Sequence, residues 1–172
     1  MKYAHYDETN GKLLGWYDSE IHETIPTPNI EVSEEEWETA IDNNYNFIDA
    51  DTNTLSFKDF RTFEQLQAFK LRELEKAYNN ASQKDIEYMD TVFQADKYSQ
   101  SLVVSVLSAG EVPEGFYWLD IDNNQVNMTY TDLQGLSKSV LERNQSNFTK
   151  LQDLKKQVKD ATTQNNLDSI VW

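Results

Sequence analysis

The spacing of hydrophobic residues changes once along the chain, from alternation to helical repeats. Residues 2–57 hold short runs in which aromatic or aliphatic side chains alternate with polar ones, the period-2 pattern of half-buried strands. From residue 60 onward, apolar side chains such as Leu71, Leu74 and Tyr78 recur every three or four positions, which favours helices. The pattern predicts an α+β fold with a boundary near residues 56–62. We expect a small β-hairpin-rich unit at 1–58 and a helix/hairpin/long-helix unit at 59–172.

Two hairpins are predicted in the first unit. Residues 2–7 and 12–18 flank a turn that contains Asn10-Gly11, a strong hairpin signal because both residues tolerate a left-handed backbone. Residues 45–49 and 54–57 flank the second turn. Residues 25–28 must be extended, since Pro26 and Pro28 each disfavour helix at the preceding residue.

A short helix is predicted between these hairpins. Ser33 and Glu36 have the spacing of a capping box, in which each side chain satisfies the other residue's backbone N–H. Trp37, Ala40 and Ile41 then form the expected buried stripe, and residues 43–44 end the helix.

The second unit opens with a helix at about residues 60–82, followed by one strand at 86–94. Asp96 begins a further helix, and Gly110 ends it. A third hairpin joins residues 116–121 to 125–129. The inner face expected for the Asp96 helix is Ser99, Leu102, Val103, Val106 and Leu107.

The longest predicted helix covers about residues 132–161, roughly 45 Å at ~1.5 Å per residue. Thr131 and Gln134 have capping-box spacing at its start. Its expected apolar stripe is Leu133, Leu136, Val140, Leu141, Phe148, Leu151, Leu154 and Val158.

This stripe has two interpretations. It is either a coiled-coil seam or a face that packs inside the chain. Asn144 and Asn147 interrupt it, which favours packing on the third hairpin and on residues 60–82. The tail from Thr162 is polar but ends in Ile170-Val171-Trp172, and docking and fraying both remain open for it.

Composition and charge exclude several classes of partner. Aromatic residues make up 12% of the chain, enough large side chains to build a core although hydrophobic residues reach only 38%. The net charge of -15 repels nucleic acid and anionic membrane surfaces. The stretch to Thr62 has 14 acidic and 4 basic residues, so most of this charge lies in the first unit. No apolar run approaches ~18 residues. These features predict a cytosolic or particle-associated protein that binds neither nucleic acid nor membrane.

No metal or cofactor site is predicted. Cysteine is absent, which excludes thiol catalysis and thiolate metal sites. His5 and His22 are the only histidines and have no partners at zinc-ligand spacing. The loops that begin at Asp49 and Asp120 have alternating oxygen ligands, but they lack the glycine at position six and the glutamate at position twelve of a calcium loop.

Catalysis is not predicted either. The chain has no Gly-rich phosphate loop, nucleophile elbow or HExxH motif, and so no catalytic residue is proposed. Pairs of carboxylates do not indicate a catalytic site in this chain, because close pairs are expected among 30 acidic residues. The candidate protein-binding residues are Trp16, Tyr17 and Trp37, for which the alternative is a place in the core.

Two sequence patterns resemble bacteriophage tail proteins. The first runs from Tyr6-Asp7 through Gly11 and Leu14-Gly15-Trp16-Tyr17 to Ile25-Pro26 and then Ile30-Glu31-Val32-Ser33-Glu34-Glu35-Glu36-Trp37. It is similar to the N-terminal part of phage tail fibre assembly proteins, which continue with an acidic strand–turn–strand, here residues 45–55. This family often has Gly-Lys in that turn, and this chain does not.

The second pattern lies in the C-terminal unit. It consists of Phe93-Gln94-Ala95-Asp96, Ser99-Gln100, Trp118, Thr131 and Leu133 before the long helix, and Ala161-Thr162-Thr163. It resembles an uncharacterised C-terminal domain that occurs in phage and prophage tail genes.

The resemblance implies a non-enzymatic chaperone that helps tail fibre subunits to fold and trimerise. Its partner would be a phage tail fibre protein, and its location the host cytoplasm during assembly. A hairpin-rich chaperone is suited to covering exposed strand edges by strand addition. The alternative role is a structural virion component, such as an adaptor in the tail or fibre, and a third is an enzyme that acts on host surface glycan. The oligomeric state, including a homo-oligomer, stays open.

Overall fold

The computed structural model describes all 172 residues. It has 44% helix and 20% strand, with small antiparallel hairpins and five helices, which confirms the α+β class. The chain divides into two compact units, with unit 1 at Met1–Phe60 and unit 2 at Arg61–Trp172. The division expected from the sequence lies two residues earlier, between residues 58 and 59.

Unit 1 is built on a three-stranded antiparallel sheet. Strands β1 (Lys2–Tyr6) and β2 (Leu13–Asp18) form the first predicted hairpin. Strand β3 (Asn29–Val32) pairs with the other side of β1, so the order is β2-β1-β3. The sequence did not predict β3, since a four-residue strand offers only two inward positions, Ile30 and Val32, from which to recognise alternation.

One helix and one hairpin complete unit 1. Helix α1 (Glu34–Asp42) has the predicted capping box: Glu36 N–H donates to Ser33 Oγ at 3.2 Å, and Ser33 N–H donates to Glu36 Oε2 at 2.8 Å. Strands β4 (Phe47–Asp49) and β5 (Thr54–Ser56) form the second predicted hairpin. A single bridge between Lys12 and Phe47 joins this hairpin to the start of β2.

The core of unit 1 lies on one face of the sheet. It contains the buried residues Ala4, Ile30, Val32 and Ile48, with partly buried Tyr6, Leu13, Trp16, Trp37 and Leu55 packed around them. Ala40 of α1 is also buried, as predicted. Ile41 is not part of the buried stripe, because its side chain is 48% exposed. Neighbouring positions on a helix differ by about 100°, so the narrow stripe of this short helix does not include both residues.

Unit 2 alternates helices with hairpins. Its elements in chain order are α2 (Phe63–Ala81), β6 (Ile86–Tyr88), β7 (Thr91–Phe93), α3 (Lys97–Ser108), β8 (Tyr117–Leu119), β9 (Gln125–Asn127), α4 (Tyr130–Asp160) and α5 (Gln164–Asp168).

The single strand predicted at 86–94 is wrong. This segment is a hairpin, in which Ile86 pairs with Phe93 and Tyr88 pairs with Thr91. Met89 and Asp90 form the turn with φ values of 52° and 55°. A two-residue turn with positive φ at both positions usually contains Asn or Gly, and Met-Asp lacks that signal.

Helix α4 begins two residues earlier than predicted. Its N-cap is Thr129, whose hydroxyl accepts from Asp132 N–H at 3.2 Å while Thr129 N–H donates to Asp132 Oδ2 at 2.8 Å. The predicted Thr131–Gln134 box is therefore wrong. Asp at the third position completes the same reciprocal arrangement as the Glu or Gln of the usual motif, and it also suits the positive end of the helix dipole.

Two hydrophobic clusters lie along α4. The first joins Phe93, Val103 and Met128 to Leu133 and Leu136 near the start of the helix. The second joins Leu74 of α2 to Leu151, Leu154 and Val158, together with Leu167 and Ile170 of the tail. The chain's tail is thus docked on α2 and α4 and is not frayed.

Three residues of the inner faces predicted for α3 and α4 are exposed. Leu141 and Phe148 of α4 are 67% and 47% exposed, and Leu102 of α3 is 38% exposed. Leu141 and Phe148 are seven residues apart, about two helical turns, so they share a flank of α4. This flank lies roughly 60–100° around the helix from the line of buried residues that includes Leu151 and Val158, so it borders that line without being covered.

Candidate protein-binding surfaces

Trp16 and Trp37 lie against the core of unit 1. Trp16 is opposite Ala4 in the β1–β2 register, and Ala4 has no exposed surface. Residues directly opposite one another share a face of the sheet, so Trp16 packs on the core side. Trp37 packs there from α1, and Lys2 Nζ lies 4.5 Å from its ring centroid.

Tyr17 lies on the opposite face of the sheet, because successive residues of a strand point to opposite sides. Its ring makes edge contacts with His5 and His22, at centroid distances of 6.2 Å and 5.2 Å. The sheet therefore separates Tyr17 from Trp16 and Trp37, and the three candidate residues do not line one groove.

Both histidines have hydrogen-bond partners in the backbone. His5 Nδ1 donates to Pro28 O at 2.7 Å, which ties β1 to the residue before β3. His22 Nδ1 accepts from Asp18 N–H at 3.1 Å. No group of three or more His, Cys, Asp or Glu side chains is arranged to hold a metal ion.

The two acidic loops serve as turns. Asp120 Oδ1 accepts from the N–H groups of Asp122 and Asn124 at 2.9 and 2.8 Å. The Asn124 side chain also donates to Asp120, and these bonds hold the pKa of the Asp120 carboxyl below its usual value. Asp49 Oδ1 accepts from Asp51 N–H at 3.0 Å in the same way. Hydrogen bonding of Asp to the backbone two residues on explains these sequences.

A polar junction separates the two hydrophobic clusters of α4. Arg143 donates to Lys84 O and, at 2.7 Å, to Ser82 O, where α2 ends. Asn144 donates to Gln100 Oε1 at 3.1 Å, and Asn147 donates to Ser82 Oγ at 3.3 Å. The carbonyls that end a helix have no partners inside it and attract cations, so Arg143 stabilises the end of α2. Burial lowers the pKa of this guanidinium.

This junction explains why Asn144 and Asn147 interrupt the apolar stripe. Asn144 binds Gln100 of α3, and Asn147 binds Ser82 at the end of α2, so both partners lie within unit 2. The sequence showed the interruption, but it gave no signal for the partners, which lie 44 and 65 positions away.

An apolar groove runs between α3 and α4. Its lining includes Val103 and Leu136, which are buried, and Val104 and Leu141, which are exposed at its rims. The cavity measures about 170 Å³. Sequence reasoning missed it, because it assigned Leu141 to the buried stripe.

The edge of the sheet at β3 is open. Tyr6 N–H donates to Pro28 O at 3.2 Å. Bonded pairs recur at every second residue of an antiparallel ladder, so Ile30 and Val32 also bond to β1. The backbone groups of Asn29 and Glu31 therefore point away from the sheet.

The edge at β2 is blocked at both ends. At its start, Leu13 N–H donates to Asn46 O at 2.9 Å, and Ile48 N–H donates to Gly11 O at 2.8 Å. At its end, Asp18 O accepts from the N–H groups of Ile21 and His22 in a tight turn. Strand β3 is thus the more accessible edge of this sheet.

Comparison with protein families identifies the C-terminal part of the chain. The profile of a family described as Domain of unknown function (DUF4376) matches residues 65–171. This match covers 107 of the 172 residues. The chain belongs to the DUF4376 family.

The DUF4376 match lies within unit 2 and includes most of α2, all of α3, α4 and α5, and both hairpins between them. The polar junction and the α3–α4 groove are therefore features of the DUF4376 domain, whereas the open β3 edge lies outside the match. No curated protein and no solved structure matches the chain. No helix is both long and apolar enough to cross a membrane.

Proposed function

We propose that this chain is a non-enzymatic tail fibre assembly factor that binds fibre subunits while they fold and trimerise. The pattern that resembles tail fibre assembly proteins lies entirely in unit 1. Its segments build the sheet and the start of α1: Leu14–Tyr17 belong to β2, and Ile30–Val32 belong to β3. The residues that carry the resemblance therefore also form the surface that the proposed binding needs.

The open edge of β3 is the observation that carries this proposal. Fibre subunits that are rich in strands expose unpaired edges before they trimerise, and such edges pair readily with other chains. Addition of a strand to an exposed sheet edge uses backbone hydrogen bonds, so it tolerates many partner sequences. Asn29 and Glu31 offer these bonds on β3.

The charge of unit 1 supports the same role. It has 14 acidic and 3 basic residues, a net charge of -11. This charge repels other copies of the chain, which keeps the complex with a fibre subunit soluble. It also raises the rate of association with basic protein surfaces. The proposed location is the host cytoplasm during phage assembly, with the tail fibre protein as partner.

Co-expression tests the proposal. The neighbouring fibre gene is expressed with and without this chain, and soluble SDS-resistant trimer is measured in each culture. We expect a higher trimer yield with the chain, and loss of that gain when residues 1–60 are deleted. Equal yields in both cultures, with the chain retained in mature particles, would favour the structural virion component instead.

A further inference from the structure

A groove lies beside the open edge of β3. It is lined by Val32 at the end of β3, by Glu35 in the first turn of α1, by Tyr45 in the turn after α1, and by Leu55 of β5. We propose that the β3 edge and this groove together dock an extended segment that carries a lysine or arginine. The proposal deepens the proposed function and rests on it only for the identity of the partner as a fibre subunit.

The backbone of the docked segment would pair with β3. Its N–H and C=O groups meet those of Asn29 and Glu31, which have no strand partner on that side of the sheet. Alternate side chains of an added strand point to the two faces of the sheet, so one of them enters the groove next to Val32.

The groove fits a long side chain with an apolar stem. Its volume is about 320 Å³, far above the roughly 10–15 Å³ that a single water molecule needs on the same measure. Lysine and arginine bury their methylene groups on apolar surface while their charged heads stay in water. Val32 and Leu55 supply the apolar surface here.

Charge complementarity selects a basic occupant over a neutral one. Glu35 lines the groove itself. Glu31 points to the opposite face of β3 from Val32 and adds to the negative potential along the edge. Both side chains are exposed, and neither takes part in an ion pair.

The other charged groups near this edge already have partners. Lys2 is the cation closest to β3 in the sheet register, and it is held by Asp18 at 3.0 Å and lies over the Trp37 ring. Glu36 is engaged by Ser33 at the helix cap. Glu34 lies 3.9 Å from the same Lys2 Nζ. Glu35 in the groove and Glu31 on the other face of β3 therefore remain available to a partner's cation.

Titration of the full-length chain with synthetic peptides tests this inference. The chain is labelled with ¹⁵N, and the probes are an alternating Val/Lys strand peptide, its Val/Glu counterpart, and the Val/Lys peptide with N-methyl groups on every amide. The last probe keeps the charge but cannot pair with an edge. We expect saturable amide shifts at Asn29, Glu31 and Val32 with the first peptide only.

Charge variants test the role of the carboxylates. Glu31→Gln with Glu35→Gln should weaken binding of the Val/Lys peptide about tenfold, equivalent to ~1.4 kcal/mol. Glu35→Lys should weaken it further. Glu8→Lys is the matched control for charge: it makes the same change in the first hairpin turn, where Glu8 is exposed and lies outside the strands, and it should leave binding within about twofold, or ~0.4 kcal/mol.

Three results would overturn the inference. These are equal binding of the N-methylated peptide, an equal effect of Glu8→Lys, and shifts spread over all acidic surfaces of unit 1. Different results would contradict the docking site and the proposed function. Peptide docking without any gain in fibre yield removes the chaperone role, whereas a yield that survives the Glu31/Glu35 variants removes this docking site.

Discussion

Asp18 shows how a single carboxylate joins separate parts of unit 1. Its Oδ1 accepts from Glu20 N–H at 2.9 Å in the turn after β2, and its other oxygen lies 3.0 Å from Lys2 Nζ on β1. The backbone bond from Glu20 and then the bond from Lys2 lower the pKa of Asp18 to about 2. A carboxyl whose pKa is lower in the folded state than in the unfolded chain stabilises the fold above its unfolded pKa.

Asp18→Asn should therefore destabilise unit 1 at pH 7 and far less at pH 2. The difference from the parent chain should be complete above the ordinary Asp pKa of 3.8 and disappear as the pH falls through about 2. Urea unfolding followed by NMR signals of β1 amides at a series of pH values between these limits measures it. Glu8→Gln serves as the control. A deficit that stays constant across this range would show that the charge of Asp18 is not its cause.

Gly135 permits a close contact in the DUF4376 domain. A Cβ atom at this position would meet the Tyr88 hydroxyl oxygen and lie 2.9 Å from a carbon of its ring. Gly135→Ala should therefore destabilise unit 2, although alanine favours a helix over glycine by about 1 kcal/mol.

The sign of this effect should reverse when Tyr88 is shortened. In a Tyr88→Ala background the clash is absent, so Gly135→Ala should stabilise by up to ~1 kcal/mol. Thermal unfolding of the four proteins in this cycle measures the coupling. Stabilisation by Gly135→Ala in both backgrounds would show that Tyr88 does not occupy this space.

Local structures such as helix caps could be predicted from the sequence where one short motif determines them. Ser33–Glu36 capped α1 and Asp96 capped α3 as expected, because each cap depends on residues within one turn. The Met89–Asp90 turn and the Thr129–Asp132 box were missed, since the residues present are not the common ones for these geometries.

At the scale of elements, α4 has two kinds of apolar position. Leu151 is 4% exposed and packs with Leu74 and Ile170, whereas Leu141 is 67% exposed at the rim of the groove. Leu151→Asp should destabilise unit 2 by about 3 kcal/mol or more, because it buries a charge. Leu141→Asp should change stability by no more than ~0.5 kcal/mol.

Thermal melts and sedimentation velocity of both variants test this contrast. If Leu151→Asp leaves the melting temperature unchanged but dissociates an oligomer, the stripe is an intermolecular seam. The same experiment with Leu141→Asp shows whether the α3–α4 groove holds copies of the chain together.

The sequence periodicity predicted helix α4. It did not predict which of the apolar residues on α4 are buried by other elements. The apolar spacing of Leu141 and Phe148 is as regular as that of the buried leucines. Their exposure depends on where α2 and α3 lie, and those positions follow from contacts between residues far apart in sequence. The positions of the candidate binding residues could not be predicted from the sequence for the same reason. Trp16 and Tyr17 are neighbours in sequence, yet the sheet places them on opposite faces.

At the scale of the whole molecule, each hydrophobic cluster lies within one unit. We expect limited proteolysis to cut first at residues 56–62 or in the loop at 111–115, and mass spectrometry of the fragments identifies the sites. Resistance at both places, with cleavage inside α4, would contradict this organisation.

We propose that the chain binds fibre subunits during assembly and then leaves them. A chaperone must bind with modest affinity, and buried area alone does not set that affinity. The most direct measurement is the amount of this chain bound to fibre protein before and after trimerisation, with mature particles purified on a density gradient. We predict that the chain co-purifies with unassembled fibre subunits and is absent from SDS-resistant trimer and from particles. A fixed stoichiometry in mature particles would contradict the account.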